Sequence, residues 1–585
     1  MSSILRQIWS IRVLLIMILT PLILLPLPLH IGTQEAKTAF VLIMMAVYWI
    51  TEAVPISVTA LLPAFMFPML GVVTASDIAP AYMSDTLMVF LGGLVMAVAI
   101  ETWNIHRRMA LRVLLLVGSE PRWLMLGLML STWFLSMWIS NSATTAMMIP
   151  IAEAILIQLK GTNEAVKKSG GDNPEKLDDV ELKEIDLKEN GVSNKSDMDT
   201  EKGEGKEDEH YTRICKAISL CICYAANSGG IASLTGTGPN LVIKDQVDLV
   251  FEKYNEESPI NFASWMSFGF PLSCMLLIVC WVWLQILFLR CKGACSCCSS
   301  DPFRKSSGEK VKAVIRQQYE DLGPITWAQG SVIVMFSILV VCWISRDIGG
   351  VGGWGDLFED GYVKDSTPAL LLAVCMFFLP SKAPKVFCNA DSDEDDVEPP
   401  RPLLVWKEVH QKMPWSLFLL LGGGFALAQG CQDSGLSVWI GEQLEFFKDL
   451  HPYVMLIVLC YICGFFTEVT SNVAIATIVM PILSTLAEST GVNPIFYMLP
   501  AAISTSFAYM LPVATPPNAL VFAYGHLRII DMATAGFVLN IIAIPLLVMA
   551  VYGWGDAIFG LETLPPGFVV NTTQTANLTF IYVFF

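Results

Sequence analysis

Two stretches decide how this chain is read: residues 140–150, SNSATTAMMIP, and residues 471–481, SNVAIATIVMP. Each opens on Ser-Asn, has Ala in fourth place and reaches proline ten residues after its serine. They lie near the middle of two apolar runs, 122–159 and 452–487. Each run is nearly twice the roughly 20 residues that a membrane-spanning helix needs. An apolar run of that length with a polar centre is either two full spans or a re-entrant hairpin. Both return the chain to the side it came from.

The pairing extends outward from these stretches. Phe90-Leu-Gly-Gly93 matches Leu420-Leu-Gly-Gly423, and Thr237-Gly-Pro-Asn240 matches Thr515-Pro-Pro-Asn518. Asn141 to Thr237 covers 96 residues and Asn472 to Thr515 covers 43. An acidic stretch of 50 residues, 161–210, lies inside the longer interval and accounts for most of the difference. One half is therefore the other half plus an insertion. The period of about 330 residues far exceeds the 20–50 of soluble repeat arrays.

Composition agrees with a polytopic membrane protein. Of 585 residues 54% are hydrophobic and 15% charged, with a mean hydropathy of +0.57. Disorder is excluded and a soluble enzyme is disfavoured. The net charge is −17. Residues 161–210 hold 16 acids and 8 lysines, and residues 381–400 hold 6 acids and 2 lysines. Both stretches lack apolar periodicity and read as solvated loops. The acidity thus says nothing about partners of the folded core, and no basic stripe offers itself to nucleic acid.

Candidate spans are 13–31, 38–57, 58–74, 87–105, 122–159, 214–245, 264–290, 325–345, 366–380, 415–440, 452–487, 493–525 and 531–559. Counting 122–159 and 452–487 as hairpins leaves eleven spans, and the expected fold class is all-α. Arg6 and Arg12 precede the first apolar run, which reads as a retained signal anchor. The positive-inside rule then puts the N-terminus in the cytoplasm, with His106, Arg107, Arg108, Arg112 and the loop 289–324 on the same side. The C-terminus falls outside, where Asn571 and Asn577 head glycosylation sequons. Each half has five spans and a hairpin, and an odd number inverts the second half, the layout of secondary transporters.

The expected organisation is a first helix within 1–37, a first repeat at 38–290 and a cytoplasmic loop at 291–324. A second repeat at 325–560 and an extracellular tail at 561–585 follow. Cys291, Cys295, Cys297 and Cys298 follow an apolar segment and read as free thiols, palmitoylation sites or metal ligands.

Residues 235–240, TGTGPN, and 514–518, ATPPN, concentrate helix breakers inside apolar segments. Such backbone is tolerated at membrane depth only under cover of protein or beside a water-filled cavity. A broken helix frees N–H groups at one end and carbonyls at the other. The first attract anions and the second coordinate small cations. Each half can therefore build one Na⁺ site from carbonyls and Ser, Asn or Thr oxygens. Neither motif contains Lys, Arg or His. An anion bound there would be neutralised by cations, so each ligand would raise the affinity of the other.

Glu52 and Glu468 are carboxylates in apolar context, open to proton coupling or to a structural role at a helix end. No P-loop, H-E-x-x-H or potassium-filter motif occurs. An anion channel stays open as an alternative to a transporter.

The residues SNSATTAMMIP at 140–150, LTGTGPN at 234–240, LLLGGGFALA at 419–428, TSNVA at 470–474 and LPVATPPNA at 511–519 resemble the divalent anion/sodium symporters. The animal sodium/dicarboxylate and sodium/citrate cotransporter branch is most similar. The likeness runs from Arg12 to about Phe559. It implies a homodimer in the plasma membrane, with a scaffold domain and a mobile transport domain working as an elevator. It implies one Na⁺ site at Ser136, Ser140, Asn141 and Gly230, and a second at Thr467, Thr470, Asn472 and Ala514. Substrate carboxylates would meet Asn141, Ser142, Asn472, Val473 through its backbone, Thr515 and Pro516. No cofactor is implied beyond co-transported Na⁺. The cargo would be a Krebs-cycle di- or tricarboxylate such as succinate or citrate, with sulfate as the alternative.

The chain departs from the family pattern in places. Ser142 replaces the usual Thr, and Val473 lacks a hydroxyl, a variant associated with citrate-preferring members. Asn227-Ser228-Gly229-Gly230 stands where Ser-Ile-Gly-Gly is usual and adds polar groups expected near the first site.

Overall fold

The computed structural model describes residues 11–117, 120–168, 201–289, 312–347, 352–359, 361–383, 400–443, 450–565 and 568. The four clustered cysteines and both sequons lie outside these residues, as does most of 381–400. Every named element among the described residues is helical.

The first half contains α1 (Arg12–Leu24), α2 (Gln34–Thr51), α3 (Leu62–Leu70), α4 (Asp85–Thr102), α5 (Ile105–Val117), α6 (Pro121–Ser136), α7 (Asn141–Lys168), α8 (Glu201–Ile231), α9 (Gly238–Lys253) and α10 (Phe262–Leu284). The second contains α11 (Trp327–Ser345), α12 (Ser366–Cys375), α13 (Trp415–Asp433), α14 (Leu436–Gln443), α15 (Pro452–Phe466), α16 (Asn472–Thr490), α17 (Pro494–Ser504), α18 (Pro516–Ala523) and α19 (Ile529–Ala550). Short helical turns link several of them.

Four expected segments are divided at the repeated motifs. The run 122–159 breaks between α6 and α7 at the first Ser-Asn pair, and 452–487 breaks between α15 and α16 at the second. The segment 214–245 breaks at 232–237, and 493–525 breaks at 505–515. Among the described residues, seven helices are long and apolar enough to cross a membrane. An eighth counts if Trp406–Lys412 and α13, bent by 67°, form one span. The acidic insertion corrects the expectation of a loop over 161–210. Helix α7 runs on to Lys168 and α8 starts at Glu201, so helix occupies both ends of it.

Outward faces fit an apolar solvent. No residue of α1 is buried. On α10 and the helical turn Gln285–Leu289 that continues it, Ile278, Val282 and Ile286 form an exposed stripe four residues apart, the spacing of one helical face. On α11, Val334, Ile338 and Val341, four and three residues apart, form another exposed stripe. The protein is an all-helical membrane protein.

Inside, the halves interlock. Helix α9 of the first half packs on α16 of the second, and α18 of the second packs on α7 of the first. Each stretch downstream of a break thus lies against the other half's Ser-Asn helix. The repeated Gly-Gly motif lets backbones approach: a Cβ on Gly92 would lie 2.6 Å from that of Ala369 in α12, and one on Gly423 would lie 2.1 Å from the Ala60 carbonyl oxygen.

Candidate functional site

The two halves repeat one hydrogen-bond pattern. Ser136 closes α6, and its buried Oγ lies 2.5 Å from Asn141 Oδ1 and 2.8 Å from the Ala226 carbonyl. Thr467 follows α15, and its buried Oγ1 lies 2.6 Å from Asn472 Oδ1 and 2.7 Å from the Thr505 carbonyl. One hydroxyl has a single proton for two acceptors. Each half therefore gathers three oxygens with one proton among them, an electron-rich cluster suited to a small hard cation.

The breaks are held in matching ways. Asn240 Nδ2 donates to the carbonyls of Gly230 (3.0 Å) and Ser233 (2.8 Å). Asn518 Nδ2 donates to those of Ala508 (2.9 Å) and Leu511 (3.1 Å). Both asparagines are fully buried. Each ties down carbonyls ten and seven residues behind it, so the unwound chain has a fixed shape. A glycine presses on each break from outside. A Cβ on Gly269 of α10 would lie 2.6 Å from the Ile231 oxygen, and one on Gly536 of α19 would lie 2.2 Å from the Tyr509 oxygen.

Both tips and both breaks open on one cavity of about 640 Å³. Its wall includes all six residues expected to meet substrate: Asn141, Ser142, Asn472, Val473, Thr515 and Pro516. Ser140 and Ala514 from the two expected Na⁺ sets also line it. Ser136 and Thr467 sit one layer behind, bonded to Asn141 and Asn472. Gly230 packs directly on Asn141, since a Cβ there would lie 2.9 Å from Asn141 Oδ1. Thr470 is buried and its hydroxyl has no hydrogen-bond partner among the described residues. The lining contains no Lys, Arg or His.

The Ala226 and Thr505 carbonyls escaped the sequence reading, because a backbone oxygen carries no residue-type signal. Asn227 follows Ala226, and its Nδ2 donates to the Ala508 carbonyl at 3.1 Å, so its amide is engaged with the second break.

The two glutamates separate. Glu468 is buried, and its carboxylate accepts from the backbone N–H groups of Tyr509, Met510 and Leu511 at 2.8–3.0 Å. Asn540 Nδ2 donates to it as well, at 2.7 Å. That is the structural role. Glu52 ends α2 and lines the cavity.

The sodium:sulfate symporter transmembrane region matches residues 6–561 of the chain. The chain belongs to that family. Similar proteins match over most of their length. The Na(+)/citrate cotransporter of Rattus norvegicus is 41% identical, over 99% of this chain and 100% of its own. Solute carrier family 13 member 2 of Homo sapiens is 42% identical, over 98% of each chain. Na(+)/dicarboxylate cotransporter 3 of Homo sapiens is 40% identical, over 96% of this chain and 94% of its own.

Proposed function

We propose that this protein is a Na⁺-coupled symporter that carries di- and tricarboxylates such as succinate and citrate across the plasma membrane. The observation that carries the reading is the cavity: both Ser-Asn tips line it, an oxygen cluster backs each tip, and no basic side chain faces it. Amide and hydroxyl groups of Asn141, Ser142, Asn472 and Thr515 donate to the carboxylates, and Val473 and Pro516 shape the wall. The cations supply the missing positive charge. One occupies the cluster of Ser136, Ser140, Asn141 and Gly230, and the other that of Thr467, Thr470, Asn472 and Ala514. Anion and cation binding then reinforce each other through linkage. The names of the relatives, which pair sodium with citrate or dicarboxylate, support the same cargo.

The architecture in this reading is two inverted repeats, 38–290 and 325–560, with eleven spans and two re-entrant hairpins. The tips and breaks move as a transport domain against a scaffold, in an elevator cycle, within a homodimer. The N-terminus is cytoplasmic, and the tail carrying Asn571 and Asn577 is extracellular and glycosylated.

Labelled succinate and citrate uptake, with Na⁺ replaced by choline, tests the reading. Uptake that collapses in choline supports symport. Uptake unaffected by choline overturns it. Sulfate is the second reading, favoured by the family's description; excess sulfate that blocks uptake while citrate does not would select it. Currents that reverse at the anion's passive equilibrium potential would select a channel.

A further inference from the structure

Among the described residues, Glu52 is the only ionisable one that lines the cavity. The joint binding of sodium and anion by the two tips gives it no task. A carboxylate in the wall of an anion chamber opposes the ligand by charge, so its presence demands a role other than attraction.

Its placement is fixed. Glu52 follows α2 with φ 48° and ψ 29°, the left-handed region. It is one of three non-glycine residues with positive φ among the described residues. A side-chain-bearing residue held there marks backbone strain of the kind that clusters at functional sites. The connection after it is anchored: Trp49, fully buried, donates its indole N–H to the Ile56 carbonyl at 3.1 Å. Tyr82 donates its hydroxyl to the Ala60 carbonyl at 2.7 Å. The carboxylate itself is exposed, and no group among the described residues bonds to it. Glu468 shows the contrast, since its oxygens are consumed by backbone donors.

We propose that Glu52 is a specificity residue that limits how many negative charges the cavity accepts. The inference rests on the carboxylate-transport reading. Two bound Na⁺ and neutral donors can balance a doubly charged acid. A third carboxylate in the same chamber meets Glu52 without a further cation, and like charges at short range repel. The residue therefore favours doubly charged over triply charged forms of substrates of similar size. Glu52 acts on substrate from the connection between helices, outside both Ser-Asn tips, so it tunes charge preference without building the cation clusters.

The experiment compares succinate with tricarballylate, a tricarboxylate that lacks a hydroxyl, in Na⁺-dependent uptake at a pH where both are fully ionised. In the wild type the KM for tricarballylate exceeds that for succinate. Glu52→Gln removes the charge at constant shape and should lower the ratio of the two KM values about fivefold, the order expected for one like-charge contact across a hydrated chamber. Glu52→Gly, which also relieves the positive φ, should lower it equally, and Glu52→Asp should keep it. An unchanged ratio in Gln and Gly variants that still transport overturns the proposal. So does a rise in the Na⁺ concentration for half-maximal uptake with no change in ratio, which would make Glu52 a cation ligand. Failure of both the Gln and Gly variants to reach the surface, with Asp normal, also overturns it, because the carboxylate would then be structural. If the wild type carries neither acid with Na⁺, the transport reading itself fails.

Discussion

The first helix break unwinds residues 232–237, and the second unwinds 505–515, nearly twice as many. Both are clamped by a buried asparagine that reaches back ten and seven residues. They differ in what happens to the freed backbone. Helix α8 persists to Ile231, so most of its N–H groups stay paired within the helix. Helix α17 stops at Ser504, and the N–H groups of 509–511, with Tyr509 buried and Met510 and Leu511 half-buried, lose their helical partners. Glu468 captures all three. The residue after the tip hydroxyl is Glu468 beside Thr467 in the second half, and Met137 beside Ser136 in the first. One carboxylate thus lets the second break be longer at no cost in orphaned donors. The halves share a cation-type cluster and differ in how the surrounding chain is satisfied.

The largest test of this comparison removes its shared part. Asn141→Ala and Asn472→Ala should each abolish Na⁺-dependent uptake while leaving surface expression intact. Wild-type uptake from either variant would break the paired-site reading.

Next comes the part that differs. Glu468→Gln turns a carboxylate acceptor into an amide and should destabilise the protein by about 3 kcal/mol. Thermal unfolding of the purified protein reads this as a lower Tm. Met137→Glu should be at least as harmful, because no freed N–H groups wait for its charge. A Met137→Glu protein with normal stability would show that the breaks do not differ as described.

A smaller effect is expected from the hydroxyls. Ser136→Ala and Thr467→Val each delete the oxygen that joins an asparagine to a carbonyl. Each should raise the Na⁺ concentration for half-maximal uptake about tenfold, the equivalent of one buried polar contact. Similar shifts would sharpen the equivalence of the halves, and a shift in only one would end it.

The smallest concerns the contact between them. A Cβ on Gly238 would lie 2.4 Å from Val473 Cγ2. Gly238→Ala should slow uptake about threefold through overpacking. Val473→Ala in the same chain should restore it, since Val473 serves the site through its backbone.

Much of the site was legible because the sequence states it twice. Any single Ser-Asn pair reads equally well as a helix cap. Two such pairs, each followed by a broken T-x-P-N segment, do not. The six residues expected to meet substrate do share one cavity wall, since each lies at a tip or a break. The extent of unwinding was not legible. It depends on which N–H groups find acceptors, and Glu468 reaches its three donors from 41 to 43 residues away in sequence. The acidic insertion was misread at its ends for a related reason: charge content suggests solvation, yet α7 and α8 continue into it as helix.

The sequence by itself determined the membrane class, the doubled plan, the places where helices break and the absence of basic residues from the motifs. Periodicity, composition and residue type are local quantities, and those conclusions need nothing more. Only the tertiary structure decided that Ala226 and Thr505 contribute their carbonyls and that Asn227 serves the opposite half. It also decided that two glutamates of similar sequence context part ways, one bound by backbone and one in the cavity wall. These outcomes rest on distances between remote segments, and hydrogen bonding and charge act over ångströms of space, whatever the separation along the chain.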